Sequence, residues 1–140
     1  AGLSIRMFSP VLAMGNGRVT FTGEGSLLQR PVGLIADALT QIGAEVSTNN
    51  GLLPLCIKGH LRPGIVHIDG SLSSQLLTGL LITLPLLNGQ STIYVDNLKS
   101  KPYVDMTISI MHHFGVTAEN EEYRVFRIKG NQQYKPASYE

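Results

Sequence analysis

Apolar residues recur at helical spacing in two places along the chain. Val32, Ile35, Leu39 and Ile42 fall on one face of a helix, and Val104, Ile108 and Met111 do the same further on, with Phe114 following. Both helices are punctuated alike. Pro31 or Pro102 stands at the expected first helical position, where a missing N–H costs nothing. Gly43 or Gly115 stands where a left-handed cap would close the helix. A short strand is expected after each glycine, Ala44–Ser47 and then Val116–Glu119. A turn and a second strand ending in Ile-Lys-Gly follow in both cases. Further strands are read at Gly17–Gly23, Ile65–Asp69 and Ser91–Val95, and apolar helices at about Leu3–Met14 and Ser73–Leu87. The longest apolar run, Leu76–Leu87, is shorter than the roughly 20 residues a membrane span needs, and reads as a helix buried on most sides.

These elements form an internal repeat with a period of about 71 residues, visible in Arg30-Pro31 through Lys58-Gly59 against Lys101-Pro102 through Lys129-Gly130. One complete unit, residues 64–130, has the order β-α-β-α-β-β. An earlier unit, residues 1–59, lacks the opening strand, and residues 131–140 read as the start of a connection into a third unit. The fold class is therefore α/β (α+β), built from repeated β-α-β-α-β-β units that do not bury their cores alone. The chain opens on Ala1-Gly2-Leu3 with no initiator Met, which reads as an internal segment.

Composition narrows the function classes. Apolar residues make up 43% of the 140, enough for a core, while charged residues make up only 15%, against about 25% in soluble domains. Sparse charge fits a segment with faces covered by another domain or subunit. The net charge of +1, with Lys and Arg scattered, argues against a nucleic-acid partner. Membrane partners are not expected either. The single cysteine, Cys56, lies in an apolar run and reads as a buried structural thiol in a reducing compartment, so a cytoplasmic location is expected.

Candidate chemistry gathers where strands give way to helices. In Asp69-Gly70-Ser71-Leu72-Ser73-Ser74-Gln75 a strand ends, Gly70 turns the chain, and Ser73 and Ser74 sit at a helix start beside unpaired amides. Hydroxyls at a helix N-terminus make an anion seat; plain serine capping explains the same pattern. Asn97-Leu98-Lys99-Ser100-Lys101-Pro102-Tyr103 repeats the arrangement, and there a solvated polar turn is the alternative. Arg6 and Arg30 suit bidentate recognition of phosphate or carboxylate, although single arginines are usually surface residues. Gly23-Glu24-Gly25 reads as a turn, since no Gly-Lys-Ser or Gly-Lys-Thr follows it. His60, His67, His112 and His113 show no metal-ligand spacing backed by Cys or carboxylates, and no nucleophile–base pair is legible.

The junction motifs resemble those of the 5-enolpyruvylshikimate-3-phosphate synthase (3-phosphoshikimate 1-carboxyvinyltransferase) family. The resemblance is carried by Asp-Gly-Ser-x-Ser-Ser-Gln-x-Leu-Thr-x-Leu-Leu at 69–81 and Ser-Lys-Pro-Tyr-x-Asp-x-Thr at 100–107. Arg30-Pro31-Val32-Gly33 and Ala1-Gly2-Leu3-Ser4-Ile5-Arg6 add to it, so the whole chain is covered in order. The related UDP-N-acetylglucosamine enolpyruvyl transferases share the fold but not the Ser-Ser-Gln and Lys-Pro-Tyr pair. Leu3 stands where the family has Thr, Met7 where it has Pro, and Ser26 where it often has Arg.

The resemblance implies a transfer of the enolpyruvyl group of phosphoenolpyruvate to the 5-hydroxyl of shikimate 3-phosphate, with release of phosphate, in aromatic amino acid biosynthesis. It implies no metal and no cofactor. Ser73, Ser74, Gln75 and Ser100 match positions that contact shikimate 3-phosphate, and Tyr103 would pack on its ring. Gly2, Arg30 and Gln75 match phosphoenolpyruvate positions, with Arg6 as a helper. The family's catalytic base and half of its cleft lie elsewhere, so the segment alone is expected to be inactive. Its expected partners are the second domain and the third repeat unit of the parent chain. Without that third unit, part of the 73–87 helix would be uncovered, and self-association of the fragment is expected. The competing reading is a stand-alone αβ-repeat module that binds a small anion or a protein without catalysis.

Overall fold

The computed structural model describes residues 9–10, 18–23, 32–71 and 74–136. In chain order the elements are β1 (Arg18–Phe21), α1 (Gly33–Gln41), β2 (Glu45–Asn49), β3 (Leu52–Lys58), β4 (Ile65–Asp69), α2 (Ser74–Thr83), a 3-10 turn (Leu84–Leu86), β5 (Ser91–Asp96), α3 (Lys101–His113), β6 (Glu119–Glu121) and β7 (Val125–Ile128). Of the first helix expected from the sequence, only Ser9 and Pro10 are described, helical and buried. The described residues form two sheets, β1-β3-β2 and β4-β5-β7-β6. Every pairing is antiparallel except the parallel pair β4–β5.

The repeat carries through to the strand register. Val19 faces Ile57 in one sheet as Ser91 faces Ile128 in the other. Ser47 faces Cys56 as Glu119 faces Arg127. The helix ends match as well. Gly43 (φ +103°) and Gly115 (φ +86°) adopt the left-handed conformation. Their amides donate to Thr40 O at 3.2 Å and His112 O at 3.0 Å. The next amides, on Ala44 and Val116, reach back to Leu39 O at 3.1 Å and Met111 O at 2.9 Å. Both helices therefore close with the same two-bond left-handed cap.

The structure corrects the sequence reading at four points. The first strand after Gly43 starts at Glu45 and runs on to Asn49. Its counterpart is not Val116–Glu119 but β6, Glu119–Glu121, because the backbone before it is already engaged. The Val116 amide closes the helix cap, and the Thr117 amide and carbonyl are held by the Gln132 side chain at 2.9 and 3.0 Å. The apolar helix stops at Thr83, not at Leu87. Pro85 has no amide to donate, and Leu84–Leu86 tightens into a 3-10 turn. Pro102 is the second residue of α3, after Lys101, where its missing N–H is equally harmless. Pro31 lies outside the described residues, and the described part of α1 begins at Gly33.

The core runs the length of α2. Leu76, Leu77, Leu80 and Leu81 are all 0% exposed, and Leu84, Ile93, Val104 and Phe126 are equally enclosed. The expected uncovered face is therefore not found on these leucines, which the chain itself encloses. Large apolar side chains exposed among the described residues are Ile65, Leu86, Tyr103 and Met106. The outer edge of β4 is covered too. The Gln41 side chain accepts from the His67 amide at 2.6 Å and donates to the His67 carbonyl at 2.9 Å, so the end of α1 stands in for a neighbouring strand.

The segment after β7 folds back across the molecule. Asn131 and Gln132 amides donate to Leu87 O and Pro85 O, and the Tyr134 hydroxyl donates to Ile82 O at 2.7 Å. Burial pushes the Tyr134 phenol up to about 12, against the ordinary value of about 10. Below about pH 10 both folded and unfolded chains keep this proton. Between about 10 and 12 only the folded chain does, so stability falls as pH rises through that window. Tyrosinate absorbance should show Tyr134 ionising only as pH approaches about 12, with the 131–136 segment detaching as it does. Ionisation of Tyr134 near pH 10, with the segment still bound, would contradict this.

Candidate functional site

The parallel pair β4–β5 brings two strand-to-helix junctions together. The strands end in register, Asp69 beside Asp96. One chain then turns into α2 and the other into α3. The junctions are joined by the Gly70 amide, which donates to Asp96 O at 2.7 Å. A methyl group at Gly70 would lie 2.8 Å from Val95 Cγ1 and 2.9 Å from Leu98 Cα, so only glycine permits this approach. Beyond the carboxyl ends of parallel strands, with helix N-termini facing the same space, a doubly connected sheet usually holds its ligand.

At the first junction, Ser71 donates to Asp69 Oδ1 from its hydroxyl at 2.6 Å and its amide at 2.9 Å. These two bonds, with a smaller pull from Lys99, hold the Asp69 carboxyl below the usual carboxylate range. Asp69 thus stays ionised and fixes the turn. Ser74 and Gln75 open the described part of α2, both half-buried. Ser73 lies outside the described residues.

At the second junction, Asn97 turns the chain with φ +56°. Ser100 is the N-cap residue of α3, and its hydroxyl makes no capping bond. Plain serine capping, the alternative read at the first junction, is therefore not what Ser100 does at the second. Tyr103, in the first turn of α3, is 57% exposed. The junctions joined by the Gly70–Asp96 bond lead into a helix start with a half-buried serine and glutamine and into one with a hydroxyl and an exposed aromatic residue. Gly2, Arg6 and Arg30 all lie outside the described residues. Among the described residues, no group of three His, Cys, Asp or Glu side chains could hold a metal, and no helix is long and apolar enough to cross a membrane.

Sequence reasoning missed a cleft at the start of α3. It measures about 520 Å3 and is lined by Asp96, Asn97, Lys101, Tyr123 and Arg124 among others. Tyr123 donates its hydroxyl to both carboxylate oxygens of Asp105, at 2.7 and 2.8 Å. The bond raises the phenol above its ordinary range. The Lys101 ammonium sits over the Tyr123 ring at 5.3 Å from its centre. These partners are far apart in sequence, and no local motif announces them. The repeat offers the one signal. Counting back from the matched helix caps, Asp105 stands where α1 has Gly33.

The chain matches the family model for EPSP synthase (3-phosphoshikimate 1-carboxyvinyltransferase) over residues 1–140. It is 43% identical to the 3-phosphoshikimate 1-carboxyvinyltransferase of Xenorhabdus nematophila, across 99% of this chain and 33% of that protein. The enzyme of the same name from Shewanella amazonensis is 46% identical across 96% of this chain and 32% of that protein. In shape, the chain resembles EPSP synthase from Acinetobacter baumannii with a TM-score of 0.79 at 23% identity, covering 98% of this chain and 31% of that one. The chain thus spans about a third of the length of the curated relatives it matches. A family model matched from the first residue to the last, on a fold shared with a solved synthase, places this chain in the EPSP synthase family.

Proposed function

We propose that this chain supplies part of the substrate site of an enzyme that moves the enolpyruvyl group of phosphoenolpyruvate onto the 5-hydroxyl of shikimate 3-phosphate, releasing phosphate. The observation that carries this reading is the meeting of two helix starts at the Gly70–Asp96 bond. That bond joins the turn leading to Ser74 and Gln75 with the junction that bears Ser100 and Tyr103, and so supports the reading. In this reading Ser73, Ser74, Gln75 and Ser100 hold shikimate 3-phosphate through hydroxyl and amide donors. Two helix N-termini favour its negative charge, and the exposed face of Tyr103 packs on its ring. Gly2, Arg6, Arg30 and Gln75 hold phosphoenolpyruvate. Proton transfer needs groups within hydrogen-bond reach of the reacting atoms, and these come from the rest of a parent chain about three times as long. Residues 1–59 and 64–130 are then two of the three repeat units in one of its domains.

The test compares the 140 residues alone with the full-length synthase carrying them, by phosphate release with both substrates present. The segment alone should match the no-protein control, and the full-length protein should turn over. Gln75→Ala in the full-length protein removes a donor that serves both anions. Each lost bond to a charged group costs about 1.5–3 kcal/mol, so kcat/KM should drop at least tenfold. A folded full-length protein that releases no phosphate would overturn the reading.

A further inference from the structure

We infer that Tyr123 is a positioning residue for shikimate 3-phosphate: through Asp105 it fixes the first turns of α3, where Ser100 and Tyr103 lie. The inference rests on the functional reading above and adds a residue that reading does not use.

The β6–β7 hairpin turns at Glu122 (φ +55°) and Tyr123 (φ +58°), two consecutive left-handed residues. L-residues other than Gly, Asn and Asp rarely adopt this conformation, and two in succession are costly. The matching hairpin of the earlier repeat copy turns in the same way at Asn50 (φ +54°) and Gly51 (φ +82°), the residue pair that such turns favour. A cheaper solution therefore stands in the same chain. Strain of this kind persists where surrounding interactions over-determine it, and it clusters at functional sites.

Three interactions hold Tyr123 in place. Its hydroxyl donates to both Asp105 oxygens, its amide donates to Asn120 Oδ1 at 2.9 Å, and Lys101 covers its ring. Among the described residues, the earlier copy joins hairpin and helix through backbone, the Val32 amide donating to Gly51 O at 2.8 Å. Its helix has Gly33 at the position of Asp105. Both ends of the Tyr123–Asp105 link are thus side chains where the earlier copy has glycine, and the link acts on the helix that carries two of the proposed ligand residues. α3 needs such support. It starts on a lysine, with no acidic residue in its first turn and no side-chain cap at Ser100, so neither common device fixes its N-terminus.

The experiment uses the full-length synthase carrying these residues, with KM measured separately for each substrate. Tyr123→Phe keeps the ring and removes only the hydroxyl. It should raise KM for shikimate 3-phosphate about tenfold, the effect of one misplaced hydrogen bond to an anion. KM for phosphoenolpyruvate should stay within about twofold. Asp105→Ala should do the same, while Asp105→Asn, which keeps a carbonyl acceptor, should remain near the unsubstituted value. Glu122→Asn combined with Tyr123→Gly rebuilds the earlier copy's turn. It should raise the melting temperature and yet weaken shikimate 3-phosphate binding, a combination that a purely structural role for Tyr123 cannot give. Full activity with shikimate 3-phosphate KM unchanged in Tyr123→Phe and in the double variant would overturn the inference. So would a parallel rise in both KM values with a loss of melting temperature. An unsubstituted protein that turned over neither substrate would remove the functional reading and this inference with it.

Discussion

Leu80→Ala lowers the stability of the chain by about 3–5 kcal/mol. Leu80 sits midway along α2, 0% exposed, with Leu76, Leu77, Leu81 and Leu84 equally enclosed around it. Truncation removes three carbons from water-free surroundings and leaves a hole. The walls of that hole belong to a helix and sheets tied down by regular hydrogen bonds, so they cannot close over it. The loss is the transfer energy of the missing methyls plus the contacts their neighbours forfeit. Against the 5–15 kcal/mol that holds a typical domain together, this is a large share. Urea unfolding should show a lower midpoint at an unchanged slope. Leu86→Ala is the control: Leu86 is 36% exposed, on the turn after the same helix, and should cost under about 1 kcal/mol. Equal losses at the two positions would mean that α2 is not the centre of the core.

The pattern of apolar residues showed where α2 lies but not what encloses it. An all-apolar helix is expected to be covered on every side, and the repeat suggests a third unit as part of that cover. In the structure the leucines of α2 are enclosed by the chain itself. Periodicity reports that a face is buried and is silent on the partner, because hydrophobic contact is non-directional. The helix caps were legible because left-handed geometry at Gly43 and Gly115 depends on the residue itself. The loss of strand at 116–118 was not legible. It depends on the Gln132 side chain, 15 residues on from Thr117, and a glutamine's sequence surroundings do not say which backbone it will bind.

The candidate site divides along the same line. Serines at a helix start are visible in sequence, since capping and anion binding both need them there. The Gly70–Asp96 bond that brings the two starts together comes from strand pairing, and only the three-dimensional arrangement reveals it. The Tyr123–Asp105 link is long-range as well, and its strained turn breaks the local rule that Asn50-Gly51 obeys. Local rules fail most informatively at such positions. Gly2, Arg6, Arg30 and Ser73 lie outside the described residues, so their placement rests on the resemblance alone.

Gly70→Ala should both destabilise the protein and separate the two junctions. The added methyl would lie 2.8 Å from Val95 Cγ1 and 2.9 Å from Leu98 Cα. The first clash can be relieved by a small side-chain shift. The second is with backbone, so the loop between β5 and α3 must move or the Gly70–Asp96 bond must stretch. Overpacking of this kind costs about 1–3 kcal/mol. The movement falls on the segment that leads into Ser100, so a ligand bridging the two helix starts loses good geometry at one of them. In the full-length synthase, the KM for shikimate 3-phosphate should rise about tenfold or more, a second result apart from the lower melting temperature. Val95→Ala added to Gly70→Ala separates the two causes. It clears the side-chain clash and leaves the backbone one. If Leu98 is the obstacle, the double variant regains little binding, and the amides of residues 97–101 remain shifted in NMR spectra. Full recovery of binding on adding Val95→Ala would show that the junctions are spaced by a side chain and not by the backbone contact at Gly70.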